Sequence, residues 1–282
     1  MRRAFRTGRD LAFWSLCAVA LLVVIAPALA IVGGLLQQAW PALTLHLITA
    51  TTADGGLQNA ILGSLLLCLG VLIVAGPLGI AAGIYLAEFA PAGRGSVLRL
   101  GYETLAGIPS IVVGFVAYIV LAQALHWGFS LLAGILALSA LVLPYVVKTT
   151  EVALVQVPTT LRDAGAALGL SRLTTLRRAV LPPAVPAIAS GLVVALAISL
   201  GETAPLLYTV GFTDQNPTLN LFHSPLAYLT YVVYLNSTLP TRLEHEVAGA
   251  AGVILIGLLL VLIGIGRAVA RWSARYSASM PG

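Results

Sequence analysis

The chain has 282 residues, of which 59% are hydrophobic and only 9% charged. So few charges cannot cover the surface of a water-soluble domain of this length, which excludes a soluble fold. The net charge of +5 would admit a nucleic-acid partner by its sign, but its distribution along the chain points to a membrane instead.

A transmembrane helix needs roughly 20 mostly apolar residues. Six stretches meet or approach that length: 11–36, 57–87, 102–125, 130–147, 184–207 and 247–270. They are continuous, whereas a β-barrel would show short alternating segments. With the N-terminus inside, 14 of the 15 basic residues fall on the inner side: Arg2, Arg3, Arg6, Arg9, Arg94, Arg99, Lys148, Arg162, Arg172, Arg177, Arg178, Arg267, Arg271 and Arg275. Only Arg242 falls outside. An excess of Lys and Arg marks cytoplasmic loops, so the reading is an all-α, polytopic bundle of six crossings, N-in and C-in, forming one membrane domain over residues 1–282.

The first apolar run starts like a secretory signal, with a basic 1–9 segment and Ala28-Leu29-Ala30. It continues through Leu36, beyond the usual 7–15 residues of a signal's apolar region, and is therefore expected to be an uncleaved helix. The second run is interrupted by Gly76-Pro77, where a kink is expected. Its Gly79 and Gly83 have the spacing that lets another helix approach closely, as do Ala248 and Gly252 in the last run. Cys17 and Cys68 lie inside apolar runs and are expected to pack; neither has a CxxC or Cys/His partner spacing.

Residues 148–183 form the most polar internal stretch. Thr160-Leu161-Arg162-Asp163 reads as a capping box, followed by Leu161, Ala164 and Leu168 on one helix face. Gly169 suits the left-handed turn that ends a helix. Ser171 is positioned to cap a second helix with Leu173, Leu176 and Val180 as its apolar face. Pro182, Pro183 and Pro186 are expected to stop that helix and start the next membrane crossing. The product is a helix–turn–helix on the cytoplasmic surface, able to lie on lipid or to enter a groove on another protein. Further on, the apolar run 226–235 is too short to span and reads as re-entrant or interfacial.

Asp163-Ala164-Gly165, then Gly169, then Leu181-Pro182 resembles the EAA loop of ABC importer permeases. The interval from Gly169 to Leu181-Pro182 matches that pattern; Asp163 stands for its Glu, Gly165 for its second Ala, and Ala179 fills its hydrophobic position. Gly83-Ile84-Tyr85-Leu86-Ala87-Glu88-Phe89, Glu103-Thr104-Leu105-Ala106-Gly107-Ile108-Pro109-Ser110-Ile111-Val112-Val113-Gly114 and Gly201-Glu202-Thr203-Ala204-Pro205-Leu206-Leu207 are similar to the phosphate permeases of that family, the last of them to the PstA type. The resemblance covers most of the chain after residue 57. It implies a type I ABC importer permease fold with a core at 57–270. It also implies a cytoplasmic coupling loop at 159–183, in which Asp163, Ala164, Gly165, Gly169, Leu181 and Pro182 dock an ATPase. The implied place is the bacterial inner or cytoplasmic (plasma) membrane. The implied partners are a second permease subunit (PstC-like), an ATPase dimer (PstB-like) that binds ATP and Mg, and an external phosphate-binding protein (PstS-like). One departure stands out: the basic residue expected about one turn before the Gly-Glu-Thr glutamate is missing, since Ala197-Ile198-Ser199-Leu200 precedes it.

No GxxxxGK[ST] phosphate loop and no grouped nucleophile–base set occur, so the chain is not expected to be an enzyme or to hold a cofactor, and hydrolysis is assigned to a partner. Glu202 is the leading functional residue, because an ionisable group within a membrane helix costs about 2.5–3.5 kcal/mol to insert. Facing a phosphate anion it would pair with a partner's cation or carry a proton. Ser110 and Thr203, with backbone amides near Pro109 and Pro205, are the remaining candidates for the substrate path. Glu103 is expected to mark the inner boundary, and Glu88 to sit near Arg94 and Arg99. Two alternatives stay open: a permease for sulfate, molybdate or another solute, and an ion-driven secondary transporter, for which no internal repeat is visible.

Overall fold

The computed structural model of the protein describes residues 2–278, with side chains at residues 10–91, 93–269 and 271. Arg2, Arg3, Arg6, Arg9 and Arg275, which carry part of the charge asymmetry, lie outside the residues whose side chains are described. Regular structure among the described residues is entirely helical. The long elements are α1 (Arg2–Ala39), α3 (Gln58–Ile84), α6 (Leu131–Val155), α9 (Leu181–Gly201) and α12 (Arg242–Ala278). Between them lie the shorter α2 (Leu45–Thr49), α4 (Ala92–Ala106), α5 (Ser110–Ala117), α7 (Thr159–Ala167), α8 (Arg172–Thr175), α10 (Ala204–Thr209) and α11 (Leu229–Thr238). Three π-helical turns prolong or join them: Tyr85–Phe89 after α3, Tyr118–Ala124 after α5, and Leu176–Val180 between α8 and α9.

Five continuous helical runs are long and apolar enough to cross a membrane: Asp10–Ala39, Gln58–Phe89, Leu131–Val155, Arg172–Gly201 and Arg242–Val269. The sixth expected crossing, 102–125, is not one helix. It is a pair, Gly93–Ala106 and Ser110–Ala124, bent by 97°. The cause is Gly107-Ile108-Pro109. Proline disfavours the helical region for the residue before it and has no N–H to continue the ladder, so α4 closes with short-range bonds from Gly107 N to Thr104 O (3.1 Å) and Ile108 N to Leu105 O (3.2 Å).

Two further boundaries differ from the sequence reading. The crossing expected at 130–147 runs on to Val155, because the charges inside its last turns are partnered and need not leave the helix. Pro182 and Pro183 do not stop a helix either. Their rings press on the carbonyls one turn back, and the chain absorbs this by widening into the π turn Leu176–Val180, closed by Leu181 N on Leu176 O. α8 and α9 are thereby one 30-residue run from Arg172 to Gly201. At Gly76-Pro77 the expected kink does not break α3, which continues through it.

The centre of the bundle is α6. Its Leu131, Ile135, Leu138, Val142 and Val146 pack with Leu67 and Val71 of α3, Ala195 and Leu196 of α9, and Leu206 of α10. The Gly79/Gly83 spacing is the seam of α3 on α6: a Cβ at Gly79 would stand 2.6 Å from Val146 Cβ. α1 is the opposite case. Its spanning window has a mean hydropathy of 2.8 and is 0% buried, a combination that calls for an apolar surrounding outside this chain, lipid or another membrane subunit. Cys17 is exposed on this helix and so does not pack within the chain; Cys68 is half-buried against the central cluster. The segment 226–235 is not among the runs long enough to cross, and its first half is packed into the bundle. Leu226, Ala227, Tyr228 and Leu229 are fully buried, and Ser64 Oγ of α3 accepts a bond from Leu229 N at 2.9 Å. The ten-residue α11 rises only about 15 Å, half a bilayer.

Described charges sort to the two ends of this bundle. Arg99, Lys148 and Arg162 meet acidic partners where α3 and α6 end, whereas Asp214 is bound to Thr52 Oγ1 (2.7 Å) beside the start of α3. We therefore expect a cysteine at position 172 to be labelled by a membrane-impermeant thiol reagent only from the cytoplasm, and one at position 214 only from outside. Labelling of both from the same face would contradict the six-crossing map.

Candidate coupling surface and translocation path

Residues 159–183 form the predicted helix–turn–helix, with one correction at its start. α7 begins at Thr159 with Pro158 as its N-cap and no side-chain cap, so the Thr160–Asp163 capping box does not form. Proline's fixed φ, here −54°, starts the helix two residues early and leaves Thr160 inside the first turn. The turn and the second cap follow the expectation. Gly169 has φ +70° and closes α7, with Leu170 N bonded to Gly165 O at 3.0 Å. Ser171 caps α8 through Thr174 N at 3.2 Å. Gly165 is where α7 touches α8: a Cβ there would stand 2.5 Å from Thr175 Oγ1, which explains Gly in place of the family's Ala.

What this unit leaves uncovered defines its surface. Asp163, Ala164 and Gly169 are exposed, and Leu168 is 77% exposed. Leu176 and Val180 are buried as expected, but Leu173 is not. Leu181 is half-buried and packs with the cytoplasmic apolar cluster of Ala153, Leu154, Val157 and Val180; Pro182 follows it in the same run. A hollow of about 350 Å3 opens between α7, α8 and the end of α3, lined by Glu88, Arg162, Asp163, Arg172 and Leu176 among others.

Two arginine–glutamate pairs hold this end of the molecule. Arg162 of α7 binds Glu88 in the π turn after α3, a partner that the expected position of Glu88 near Arg94 and Arg99 did not name. Arg99 of α4 donates from Nε to Glu151 Oε1 of α6 at 2.6 Å and from Nη2 to Leu86 O at 3.2 Å. Tyr102 Oη donates to Glu151 Oε2 at 3.1 Å. Glu151 is 8% exposed and would be costly without these partners. The pair Lys148–Glu103, at 3.8 Å and with both side chains more than half exposed, contributes little. Sequence reasoning missed Glu151 and the role of Arg162. A Glu placed three residues after Lys148 near the end of an apolar run was the available signal for the first.

The substrate-path candidates lie on two broken helices. Glu202 ends α9 in extended backbone (φ −77°, ψ 135°), and α10 starts afresh after Thr203. The break is pinned by Thr230 Oγ1 of α11, which donates to Glu202 O at 2.9 Å. Among the described residues the Glu202 carboxylate has no hydrogen-bond or ionic partner, and Ile198, one turn earlier, packs against the central apolar cluster. On the other side, Pro109 is the N-cap of α5 and Ser110 its first residue, both at the mouth of the 97° bend. α5 lies directly on α10: a Cβ at Gly114 would stand 3.0 Å from Pro205 O, and Phe115 meets Tyr208 edge-on at 5.9 Å. The fold thus brings the helices carrying Pro109/Ser110 and Glu202/Thr203 side by side, away from the coupling unit.

Residues 79–275 match the family described as binding-protein-dependent transport system inner membrane component. Over 268 residues the chain is 44% identical to the phosphate transport system permease protein PstA 2 of Mycobacterium bovis, covering 94% of this chain and 89% of the relative. It is 42% identical to the PstA permease of Yersinia pestis over 219 residues, covering 76% of this chain and 72% of that protein. Among solved structures, a chain of a bacterial alginate ABC transporter superposes with a TM-score of 0.65 at 17% identity, over 94% of this chain and 95% of that one.

Proposed function

Since this chain belongs to the binding-protein-dependent transport system inner membrane components and, among them, to the PstA phosphate permeases, we propose that it forms one half of the membrane path of an ATP-driven phosphate importer. Its place is the plasma membrane, as a multi-pass subunit. In this reading a PstC-like permease supplies the other half of the path, a PstB-like ATPase dimer holds ATP and Mg and performs hydrolysis, and a PstS-like external protein delivers phosphate. The chain's own task is mechanical. The surface formed by Asp163, Ala164 and Gly169, held in place by the buried Gly165 and with Leu181-Pro182 beginning the helix behind it, receives the ATPase. The breaks at Pro109/Ser110 and Glu202/Thr203 border the path. With no cation bonded at Glu202, phosphate in the path meets hydroxyls, free helix-start amides and groups of the other subunit.

The observation that carries the coupling role is the exposed face of α7. Leu168 and Asp163 are open to the outside on a helix whose other side is anchored by Gly165 against Thr175, and Leu161, Leu170 and Leu173 of the same short unit are exposed as well; a group of apolar side chains displayed on a polar element marks an interaction surface, as a lone one would not. Gly169→Val tests it. A Cβ at Gly169 meets nothing within 4 Å, so the cost is confined to the left-handed backbone, about 1–2 kcal/mol for an L-residue. The expected result is normal insertion, about tenfold weaker co-purification of the ATPase, and a matching fall in uptake. Normal co-purification with normal uptake would count against the coupling role.

A further inference from the structure

Arg162 is bonded to two helices other than its own. Its Nε reaches Glu88 Oε1 and Oε2 at 3.2 and 3.3 Å. Its Nη2 reaches Glu88 as well and Leu154 O at 2.9 Å, and its Nη1 reaches Val157 O at 2.9 Å. Glu88 stands in the turn that ends α3, while Leu154 and Val157 belong to the last turn of α6 and the residues just after it. One planar guanidinium therefore ties α7 to the cytoplasmic ends of both α3 and α6, the two helices that share the glycine seam at the centre of the bundle. The pair is largely shielded, with Arg162 and Glu88 side chains 25% and 14% exposed. Separating such a pair leaves a poorly hydrated charge and costs several kcal/mol.

Arg162 directly precedes Asp163. Successive residues of an α-helix point about 100° apart, so neighbouring positions on α7 serve opposite purposes: Asp163 is exposed on the outer face and Arg162 grips the bundle. We infer that Arg162 is a positioning residue that, through Glu88 and the two carbonyls, carries displacement of α7 into α3 and α6 as a link that stays closed throughout the transport cycle. This inference rests on the coupling role proposed above for residues 159–183. The chemistry requires arginine, because a lysine ammonium is a point charge and cannot hold a carboxylate and two diverging carbonyls at once.

The test uses the assembled complex, permease pair with ATPase, in liposomes with the external binding protein and labelled phosphate. Three quantities are read: ATPase co-purification, ATP hydrolysed, and phosphate taken up. Arg162→Lys and Glu88→Gln are expected to keep the ATPase bound and to lower phosphate taken up per ATP hydrolysed about tenfold. Either variant leaves a buried group without its partner, so Glu88→Gln/Arg162→Met, which leaves no buried charge, carries the same expectation should the single variants accumulate poorly. A cysteine pair at 88 and 162, in a chain lacking Cys17 and Cys68, is expected to recover part of the wild-type ratio when joined by a short bis-maleimide, because the link restores the tie to α3 but not the bonds to Leu154 O and Val157 O. An unchanged ratio in Arg162→Lys would overturn the inference, as would loss of the ATPase to the extent seen in Gly169→Val. Arrest of transport by the cross-link, or failure of the charge-free double variant to accumulate, would overturn it too. The coupling role fails separately, if Gly169→Val docks its ATPase normally.

Discussion

Gly83→Leu is expected to abolish accumulation of the folded permease. α3 lies so close to α6 at this point that a Cβ on Gly83 would stand 2.6 Å from Thr150 Cβ and 2.7 Å from Val147 O. The second of these is backbone in the most buried helix of the bundle, so it cannot swing aside as a flexible side chain would. Overpacking a fitted core costs about 1–3 kcal/mol. Here the strain falls one residue from Glu151, whose pair with Arg99 depends on the register of α6 against α4. Membrane abundance and the size-exclusion profile of the detergent-solubilised complex measure the effect. Gly257→Leu is the control, since Gly257 on α12 has nothing within 4 Å. The expected outcome is loss of the monodisperse complex for Gly83→Leu and none for Gly257→Leu. A well-behaved Gly83→Leu complex would contradict the seam.

Glu202→Gln is expected to lower phosphate uptake by roughly tenfold or more while leaving the ATPase bound. Glutamine keeps the shape of glutamate and much of its hydrogen-bonding capacity but not its charge. The backbone of this break is held by Thr230 Oγ1 on Glu202 O, a contact the substitution does not touch, so local structure is expected to persist. A carboxylate kept at membrane depth has a price of about 2.5–3.5 kcal/mol, and no described residue of the chain offsets it at Glu202. The role proposed for Glu202 is to carry a proton or to pair with a cation brought by the other permease subunit. Wild-type uptake at both low and high external phosphate, with normal protein levels, would remove Glu202 from the path.

These two positions illustrate how differently the sequence speaks about fold and site. Apolar runs are dense, local signals, and they located the five long apolar helices, with the sixth run folded as a bent pair; basic residues are the signal on which the expected cytoplasmic position of residues 159–183 rests. The Gly79/Gly83 and Gly169/Ser171 signals were equally local: a small residue at a helical interval, and a residue suited to a left-handed turn beside a capping hydroxyl. Most misreadings came from tertiary partners or from proline; Cys17 and Leu173 were instead apolar positions that the chain leaves exposed. At Pro109 a proline broke an expected crossing, whereas at Pro182-Pro183 the chain passed two prolines by widening a turn. Hydropathy weighs those cases alike. Glu88, Arg99, Glu151 and Arg162 found their partners across 52 and 74 residues of sequence, beyond the reach of any periodicity. Glu202 was legible because an acid in an apolar run stands out, but no periodicity could show that it would have no ionic partner among the described residues.

Uptake of radiolabelled phosphate tests the central claim most directly, in cells lacking the chromosomal copy of this chain and carrying either wild type or Gly169→Val. Wild type is expected to restore ATP-dependent phosphate uptake that excess unlabelled sulfate or molybdate does not compete away, and Gly169→Val to restore about a tenth of it. Wild-type cells that take up labelled sulfate or molybdate in place of phosphate, or that take up phosphate equally well after ATP depletion, would contradict the account.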